Sequence, residues 1–372
     1  MNIAIVGCGF VADYYVKTLA LHSELKLLGA MDRLPERASR FSTYHSVPTY
    51  DSLADLLTDS RVELVLNLTN PGSHYEVSKA CLEAGKHVYS EKPISTEIDQ
   101  AKELVALAAA KKLYISSAPC NVLSETAQTV WQALREKAIG EAYLVYAEMD
   151  DGMVHQMAYD QWLSESGVPW PYKDEFEVGC TLEHAGYYIT WLVAFFGPAV
   201  SLTAFSDCLI KDKQTAVPLE RNAPDFSVAC IKFASGMVAR LTCGIVAPHD
   251  HELKIIGEKG ILYTEDCWYY GSPVYIKKRM RIRRKTFINP LRQKYPFVRK
   301  PGGKIGYKGS QQMDFCRGVA NLAQAIKTGG KPKLSADYCL HVNEIVLAIQ
   351  NALDTGAPYQ LTTTCEPLEP GF

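Results

Sequence analysis

The sequence predicts an α/β chain built in two parts, a doubly wound parallel sheet followed by an α+β region with a large, mostly antiparallel open sheet. Three observations carry this. Over residues 1–120, short apolar runs alternate with helix-forming stretches, the rhythm of βαβ units. Runs such as Leu64-Val65-Leu66 are apolar without alternation, as strands covered by helices on both faces are. After about residue 120 this rhythm gives way to longer strands separated by polar turns. The 372 residues, 47% hydrophobic and 22% charged, suffice for two domains with full cores, and their boundaries are read as 1–120 and 121–372.

In the first part, strands are predicted at Asn2–Val6, Lys26–Met31, Val62–Leu68, His87–Ser90 and Leu113–Ser117. Helices fall between them at Val11–Leu21, Pro35–Phe41, Ser52–Leu57, Ser73–Ala84 and Glu97–Ala110, the last rich in the strongest helix formers. The second part opens with a helix at Ser124–Lys137. Strands follow at Leu144–Met149, Ser201–Asp207, Ser227–Phe233, Met237–Ile245, Glu252–Ile256 and Ile261–Tyr263, the last two joined by a hairpin turn at Glu258-Lys259-Gly260. Helices close the chain at Gln311–Thr328 and Ala336–Thr355, the latter packing back on the first domain. Ala185–Ser206 carries no charge over 22 residues, a bilayer's length, but Gly197-Pro198 interrupts it. A buried helix running into a strand explains it, and no membrane span is read.

Composition narrows the function. With 39 Lys+Arg against 41 Asp+Glu the net charge is −2, so there is no global basic field and nucleic acid is disfavoured as a partner. The 11 cysteines are widely spaced with no CxxC pair, which argues against a zinc ribbon or a disulfide framework. Reduced, mostly buried thiols in a cytoplasmic protein are expected, and no metal-ligand set is read. The first apolar run has no basic residue before it, so it makes a poor signal peptide.

Two motifs carry chemistry. Gly7-Cys8-Gly9-Phe10-Val11-Ala12 follows the first strand and opens a helix. There Gly7 permits the tight turn, Gly9 lets the backbone approach a pyrophosphate, and Ala12 lets helix and strand pack closely. Asp32 ends the second strand, where a carboxylate binds the adenosine ribose hydroxyls and favours NAD; Arg33 beside it leaves NADP open. The second motif, Glu91-Lys92-Pro93, sets Lys92 at the carboxyl edge of the parallel sheet, where ligands of this Rossmann fold bind.

With these residues the sequence resembles the Gfo/Idh/MocA oxidoreductases, the glucose–fructose oxidoreductase and inositol dehydrogenase family, over nearly its whole length. The motifs are Gly7–Ala12, Asp32, Asn70-Pro71…His74, Ala84-Gly85-Lys86-His87-Val88…Glu91-Lys92-Pro93, Gly257-Glu258-Lys259-Gly260 and Asp314-Phe315…Pro332. The resemblance implies cofactor contacts from Thr69, Asn70, His74, Glu91, Lys92 and Asn121, and a Lys92 that reaches both substrate and nicotinamide. In the matching stretch Gly179–Tyr187, Glu183 stands for the family's substrate-binding Asp and Tyr187 for its usual catalytic His. Residues 183 and 187 share one face of a helix, and Tyr187 relays a proton if Lys92 lowers its pKa. His184 points about 100° away. Leu123 replaces a cation many members carry. The loop from Asp150 to Val178, with Trp162 and Trp170, is expected to shape the substrate pocket.

The implied activity is NAD(P)-dependent hydride transfer between nicotinamide and a secondary alcohol or ketone of a sugar, cyclitol or nucleotide sugar. Lys92, Tyr187 and Glu183 are its catalytic residues. The alternatives are an NAD-dependent hydrolase that works by transient oxidation and a non-catalytic dinucleotide-binding regulator. The resemblance also implies a homodimer or homotetramer built on the C-terminal sheet. One stretch lies outside this scheme: Lys277–Lys308 holds 13 Lys or Arg and no Asp or Glu. A solvated arm is its leading reading, ahead of a site for a phosphorylated substrate and, last, nucleic acid.

Overall fold

The computed structural model describes residues 1–302, 305–306, 312–352 and 356–371. The first sheet is parallel and has the order β2-β1-β3-β4-β5, formed by β1 (Asn2–Val6), β2 (Lys26–Met31), β3 (Leu64–Asn67), β4 (His87–Ser90) and β5 (Ile115–Ser117). Five helices intervene: α1 (Ala12–Leu19), α2 (Pro35–His45), α3 (Leu53–Thr58), α4 (His74–Glu83) and α5 (Ile98–Ala110). All four residues of β3 are buried, as the unalternating sequence demands. Because β2 and β3 flank β1 on opposite sides, the chain reverses direction across the sheet at β1/β3, the crevice where such folds bind ligands.

The second sheet has ten strands: β6 (Ala142–Asp150), β7 (Ala199–Asp207), β8 (Phe226–Phe233), β9 (Val238–Gly244), β10 (Leu253–Gly257), β11 (Gly260–Thr264), β12 (Val274–Ile282), β13 (Lys285–Ile288), β14 (Gln293–Lys294) and β15 (Tyr359–Gln360). Its order is β13-β12-β11-β10-β6-β9-β8-β7-β15, with β14 against β12. Every named pair is antiparallel except β6–β9. The hairpin turn at 258–260 is present, with Gly257 opposite Gly260. A Cβ on Gly260 would sit 2.4 Å from the Lys277 carbonyl oxygen, so only glycine lets β11 and β12 close there.

Helices α6 (Glu125–Arg135), α8 (Gly186–Phe196) and α10 (Ala336–Gln350) cover one face of this sheet; α7 (Tyr172–Val178) and α9 (Cys316–Thr328) lie outside it. The uncharged run is α8, broken at Gly197 from β7, with Trp191 and Tyr188 fully buried. No helix among the described residues is long and apolar enough to cross a membrane. Helix α10 packs on α5 and β5: Asn343 Nδ2 donates to the Ser95 carbonyl at 3.0 Å, and Ser116 Oγ to that of Leu334 at 2.7 Å. All eleven cysteines are free thiols and nine are buried.

The described part of the basic stretch is largely exposed, as expected of a solvated arm, and its backbone forms β12, β13 and β14, an extension of the sheet. Several cations there already lie on sheet groups: Arg292 stacks 4.1 Å from the Tyr275 ring, Lys277 lies 5.0 Å from that of Tyr263, and Arg279 donates to the Gly257 carbonyl at 3.1 Å. The dense charge in Val274–Ile282 masked the strand's alternation, so β12 to β14 were missed. Lys304, Tyr307 and Lys308 of that stretch, Gln311 at the expected start of one helix and Thr355 at the expected end of the other lie outside the described residues.

A carboxylate fixes the C-terminal segment to α10. Glu344 is 1% exposed and accepts from Thr362 N, Thr362 Oγ1, Thr363 N, Thr363 Oγ1 and Tyr359 OH. Burial raises its pKa, but these bonds prevail and bring it down to about 2. A depressed carboxylate contributes stability above its unfolded value, about 4.3, that is lost as pH falls through the folded value. Glu344→Gln should therefore lower stability near pH 7 by about 1–3 kcal/mol, the scale of charge-assisted bonds. The gap to wild type should close between pH 4.5 and 2 in thermal melts; a gap independent of pH would mean the charge contributes nothing.

Candidate functional site

The carboxyl ends of β1, β3 and β4 meet in one crevice. Gly7 has φ +100°, and a Cβ there would lie 2.5 Å from the Leu68 carbonyl oxygen, so the turn out of β1 accepts only glycine. Gly9 is the opposite case: a Cβ would meet nothing within 4 Å, because that side is open. Ala12 is fully buried where α1 crosses the sheet. Val11 caps α1 without a side-chain hydrogen bond, and the N–H groups of Gly9, Phe10 and Val11 have no acceptor among the described residues. Free N–H groups beside an open glycine at a helix start fit a diphosphate. Asp32 accepts from Cys8 N at 2.8 Å and Leu34 N at 2.9 Å, which orients its carboxylate and leaves lone pairs for ribose hydroxyls. Burial, with Asp32 and Asp13 nearby, pushes the Cys8 thiol up to about 12, so Cys8 contributes its backbone only. Arg33 is exposed next to Asp32.

Lys92 follows β4, and its Nζ forms an ion pair with Glu183 Oε2; the side chains are 18% and 6% exposed. Burial alone would lower the pKa of Lys92, but Glu183, Tyr187, Glu175 and Glu91 outweigh it and hold the amine above the ordinary lysine value. Lys92 is thus a fixed cation. Glu183 lies in a π-turn, Thr181–Ala185, that leads into α8. Such wide turns concentrate at functional sites, and here one sets Glu183 and Tyr187 both within charge range of Lys92. Burial drives the Tyr187 phenol well above its usual pKa despite the opposing pull of Lys92. The expected lowering does not occur; Tyr187 stays protonated and is a hydrogen-bond donor.

Three expected ligand contacts also brace the site. Asn121 is fully buried, with Nδ2 donating to the Tyr187 carbonyl at 3.1 Å and Oδ1 accepting from Thr190 at 3.2 Å. His74, also fully buried, has its ring nitrogens 2.6 Å from the Pro93 carbonyl oxygen and 2.8 Å from that of Thr69, and burial lowers its pKa. Glu91 accepts from Tyr15 OH at 2.7 Å and from the Lys92 N–H at 3.1 Å. These bonds tie the three side chains to the backbone around Lys92 and Tyr187. Thr69 is half-buried, with its hydroxyl on Asn67 Oδ1 at 2.6 Å, and Asn70 reaches Asp174 Oδ2 at 2.6 Å.

The segment 151–178 straps across the crevice. Ser166 N donates to Asp13 Oδ2 at 2.7 Å, Lys17 pairs with Glu165, and Arg40 donates to the Gly167 carbonyl at 3.2 Å. Trp162 and Trp170 pack at a tilt of 59° with centroids 5.0 Å apart, half-buried in the strap. Sequence reasoning missed several residues here. Glu175 is near enough to Lys92 and Glu183 for their charges to act on it, and burial and Glu183 raise its pKa well above normal. Trp268 lies 5.4 Å from the Tyr187 ring and 5.9 Å from His184. The fold also gathers Asp151, His249 and His251 close to His184. The run His249-Asp250-His251 was the one local signal.

Comparison with known proteins agrees with this geometry. Residues 1–118 match the family described as oxidoreductase family, NAD-binding Rossmann fold, and residues 127–263 match the GFO/IDH/MocA C-terminal domain. The trans-1,2-dihydrobenzene-1,2-diol dehydrogenase of Sus scrofa is 21% identical over 333 residues, 88% of each chain. Among solved structures, the aldose-aldose oxidoreductase from Caulobacter crescentus complexed with glycerol superposes with a TM-score of 0.76 at 16% identity, covering 97% of this chain and 99% of that one. The WlbA dehydrogenase from Bordetella pertussis, in complex with NADH and UDP-GlcNAcA, gives 0.72 at 18% identity over 97% and 98%. The chain belongs to the GFO/IDH/MocA oxidoreductase family, and its first domain is an NAD-binding Rossmann fold.

The carboxylate of Asp32 should repel a 2′-phosphate, so NAD should bind more tightly than NADP in fluorescence titrations. Asp32→Ser should narrow that gap by roughly tenfold, equivalent to about 1.4 kcal/mol. A native preference for NADP would assign the ribose end to Arg33.

Proposed function

We propose that this family member is a dehydrogenase or reductase acting on a secondary alcohol or ketone of a sugar, cyclitol or nucleotide sugar. The observation that carries this reading is the Lys92–Glu183 pair, set at the carboxyl end of β4 beside the open glycine loop. Bound nicotinamide supplies the hydride acceptor or donor. Lys92, a fixed cation, stabilises negative charge on the reacting oxygen and, in the reducing direction, gives it a proton. In the oxidising direction Lys92 accepts the hydroxyl proton only as it passes one of its own to Glu183. Glu183 is that acceptor and also holds a substrate hydroxyl, while the Tyr187 phenol donates a hydrogen bond. The strap with Trp162 and Trp170 forms the far wall of the pocket, and His184 borders it. The domain division 1–120 and 121–372, a cytoplasmic location and a homodimer or homotetramer through the uncovered face of the second sheet complete the proposal. That face carries Val200, Phe205 and Val238, each more than a third exposed.

With a panel of sugars and nucleotide sugars, reduced cofactor should accumulate in step with product. Product formed with no net reduction would instead indicate the hydrolase. Lys92→Ala should cut turnover by roughly 10²–10⁴-fold, the usual weight of a positioned acid, and leave NAD binding near wild type, since the diphosphate is held by backbone N–H groups. Glu183→Gln should raise KM and lower kcat/KM in both directions, because the same proton route serves oxidation and its reverse. Tyr187→Phe keeps the packing and removes one donor, so wild-type turnover there would return Tyr187 to a structural role. Because the pKa of Lys92 is raised, its proton is retained across neutral and mildly alkaline pH. Reduction should therefore not decline between pH 6 and 9; a decline in that window would remove Lys92 as the acid.

A further inference from the structure

Four side chains from three distant stretches converge just beyond Glu183: Asp151 after β6, His184 in the π-turn, and His249 and His251 before β10. His251 Nε2 stands 3.6 Å from Asp151 Oδ1, His249 Nδ1 stands 3.9 Å from the same oxygen, and His184 Nε2 stands 3.7 Å from Oδ2. The rings of His249 and His251 are 4.1 Å apart, centroid to centroid. These separations are too long for hydrogen bonds. His251 is the telling member, because its side chain is 0% exposed and neither ring nitrogen has a hydrogen-bond partner among the described residues. An imidazole always carries at least one N–H, and folded proteins seldom bury such a group unpaired. Asp151 is similarly strained: burial first, and Asp266, push its carboxyl up to about 6 against the pull of His251.

We propose that Asp151, His249 and His251 bind a divalent transition-metal ion of the zinc class. Their donor atoms all lie within 4.8 Å of one another. Bonds of about 2.0–2.1 Å at tetrahedral angles set neighbouring donors about 3.3 Å apart, so the 3.6 and 3.9 Å spacings to Asp151 need to contract by about 0.3 to 0.6 Å. Two imidazoles and one carboxylate suit zinc and its neighbours, whereas calcium and magnesium take oxygen. Behind His251, Asp266 Oδ1 lies 3.7 Å from Nδ1, placed to receive the N–H that a ligating histidine turns away from its metal. His249 is half exposed, with 51% of its side chain accessible, and provides the way in. The alternative grouping of His251, Asp266 and Cys267 suits an ion less well. The Cys267 thiol lies 3.9 Å from Met149 Sδ, and burial holds its proton on.

Three protein ligands leave a coordination position open, the pattern of reactive rather than structural zinc sites. His184 adjoins Glu183 in the chain and feels the charge of Lys92. An ion here would hold a substrate oxygen next to the Lys92–Glu183 pair. That role rests on the function proposed above; binding of the ion does not.

The test uses the full chain, stripped with chelator and titrated with zinc(II), and separately with cobalt(II), in the absence of substrate. One zinc per chain should bind at micromolar or tighter concentration, and cobalt should give the visible bands of a four- or five-coordinate ion. His249→Ala, at a half-exposed position that does not threaten folding, should weaken zinc binding by roughly a hundredfold, as should Asp151→Asn. NAD titration checks that each variant is folded. Absence of stoichiometric binding, or equal affinity in wild type and both variants, would overturn the site. Zinc bound without any sugar activity would count against the proposed reaction and leave the metal site standing.

Discussion

The ion pair between Lys92 and Glu183 joins the two halves of this chain at the point where chemistry is expected. Lys92 comes from the end of the Rossmann sheet and Glu183 from the turn leading into the helix that backs the second sheet. Taking both charges out of water costs several kcal/mol each, and their attraction offsets this only when the geometry is good and neighbouring groups cooperate. Around this pair the structure supplies that cooperation. Glu91 holds the backbone of Lys92 and the hydroxyl of Tyr15 on α1, His74 spans Thr69 and Pro93, and Asn121 fixes the backbone of Tyr187. Each brace sits at the end of a strand or helix, so secondary structure positions the charges to within the tolerance that the pair needs.

The cofactor crevice and the pair rely on different kinds of atoms. The proposed diphosphate end is built from main-chain N–H groups and a turn that only glycine can make, with Cys8 buried as an inert thiol. The proposed reacting end depends on side chains whose charge states are set by burial: a lysine held cationic, a phenol held neutral, and Glu175 with its proton affinity raised. The strap from 151 to 178 links the two ends, because the same segment hydrogen-bonds to Asp13 beside the glycine loop and carries Glu175 toward Lys92.

The Rossmann part was almost wholly legible in the sequence, since β1, β2 and β4 have the expected limits and the motifs fall on their ends. Local pattern and local function coincide there. The second sheet was legible only where strands alternate; β12 was hidden by charge and β15 by its two-residue length. At the site, the family resemblance pointed to Lys92, Glu183 and Tyr187, and the fold brings the three side chains together. The resemblance did not reveal that His74, Glu91 and Asn121 turn inward, because that depends on which neighbouring carbonyl lies within reach. Asp151 follows β6, Glu175 lies on α7 and His251 precedes β10, and only the folded chain brings them to one place. The phenol's proton affinity was misjudged for a related reason: a neighbouring cation was visible in the sequence, and the depth of burial was not.

The strand order has a consequence for how the chain is made. Among the described residues β6 pairs only with β9 and β10, and the β6–β9 contact is the one parallel pairing between named strands of its sheet. As the chain emerges from the ribosome, β6 has no partner on either edge until residues 238–257 have followed it. The first sheet closes at residue 117, yet the flank formed by β5 and α5 is covered by α10, residues 336–350. Both domains therefore wait on late segments: the first with an apolar flank uncovered, the second with a central strand unpaired on both sides. Non-local pairings of this kind slow folding and leave sticky edges exposed meanwhile. The last helix of the chain thus completes the cover of a sheet whose strands were all made about two hundred residues earlier.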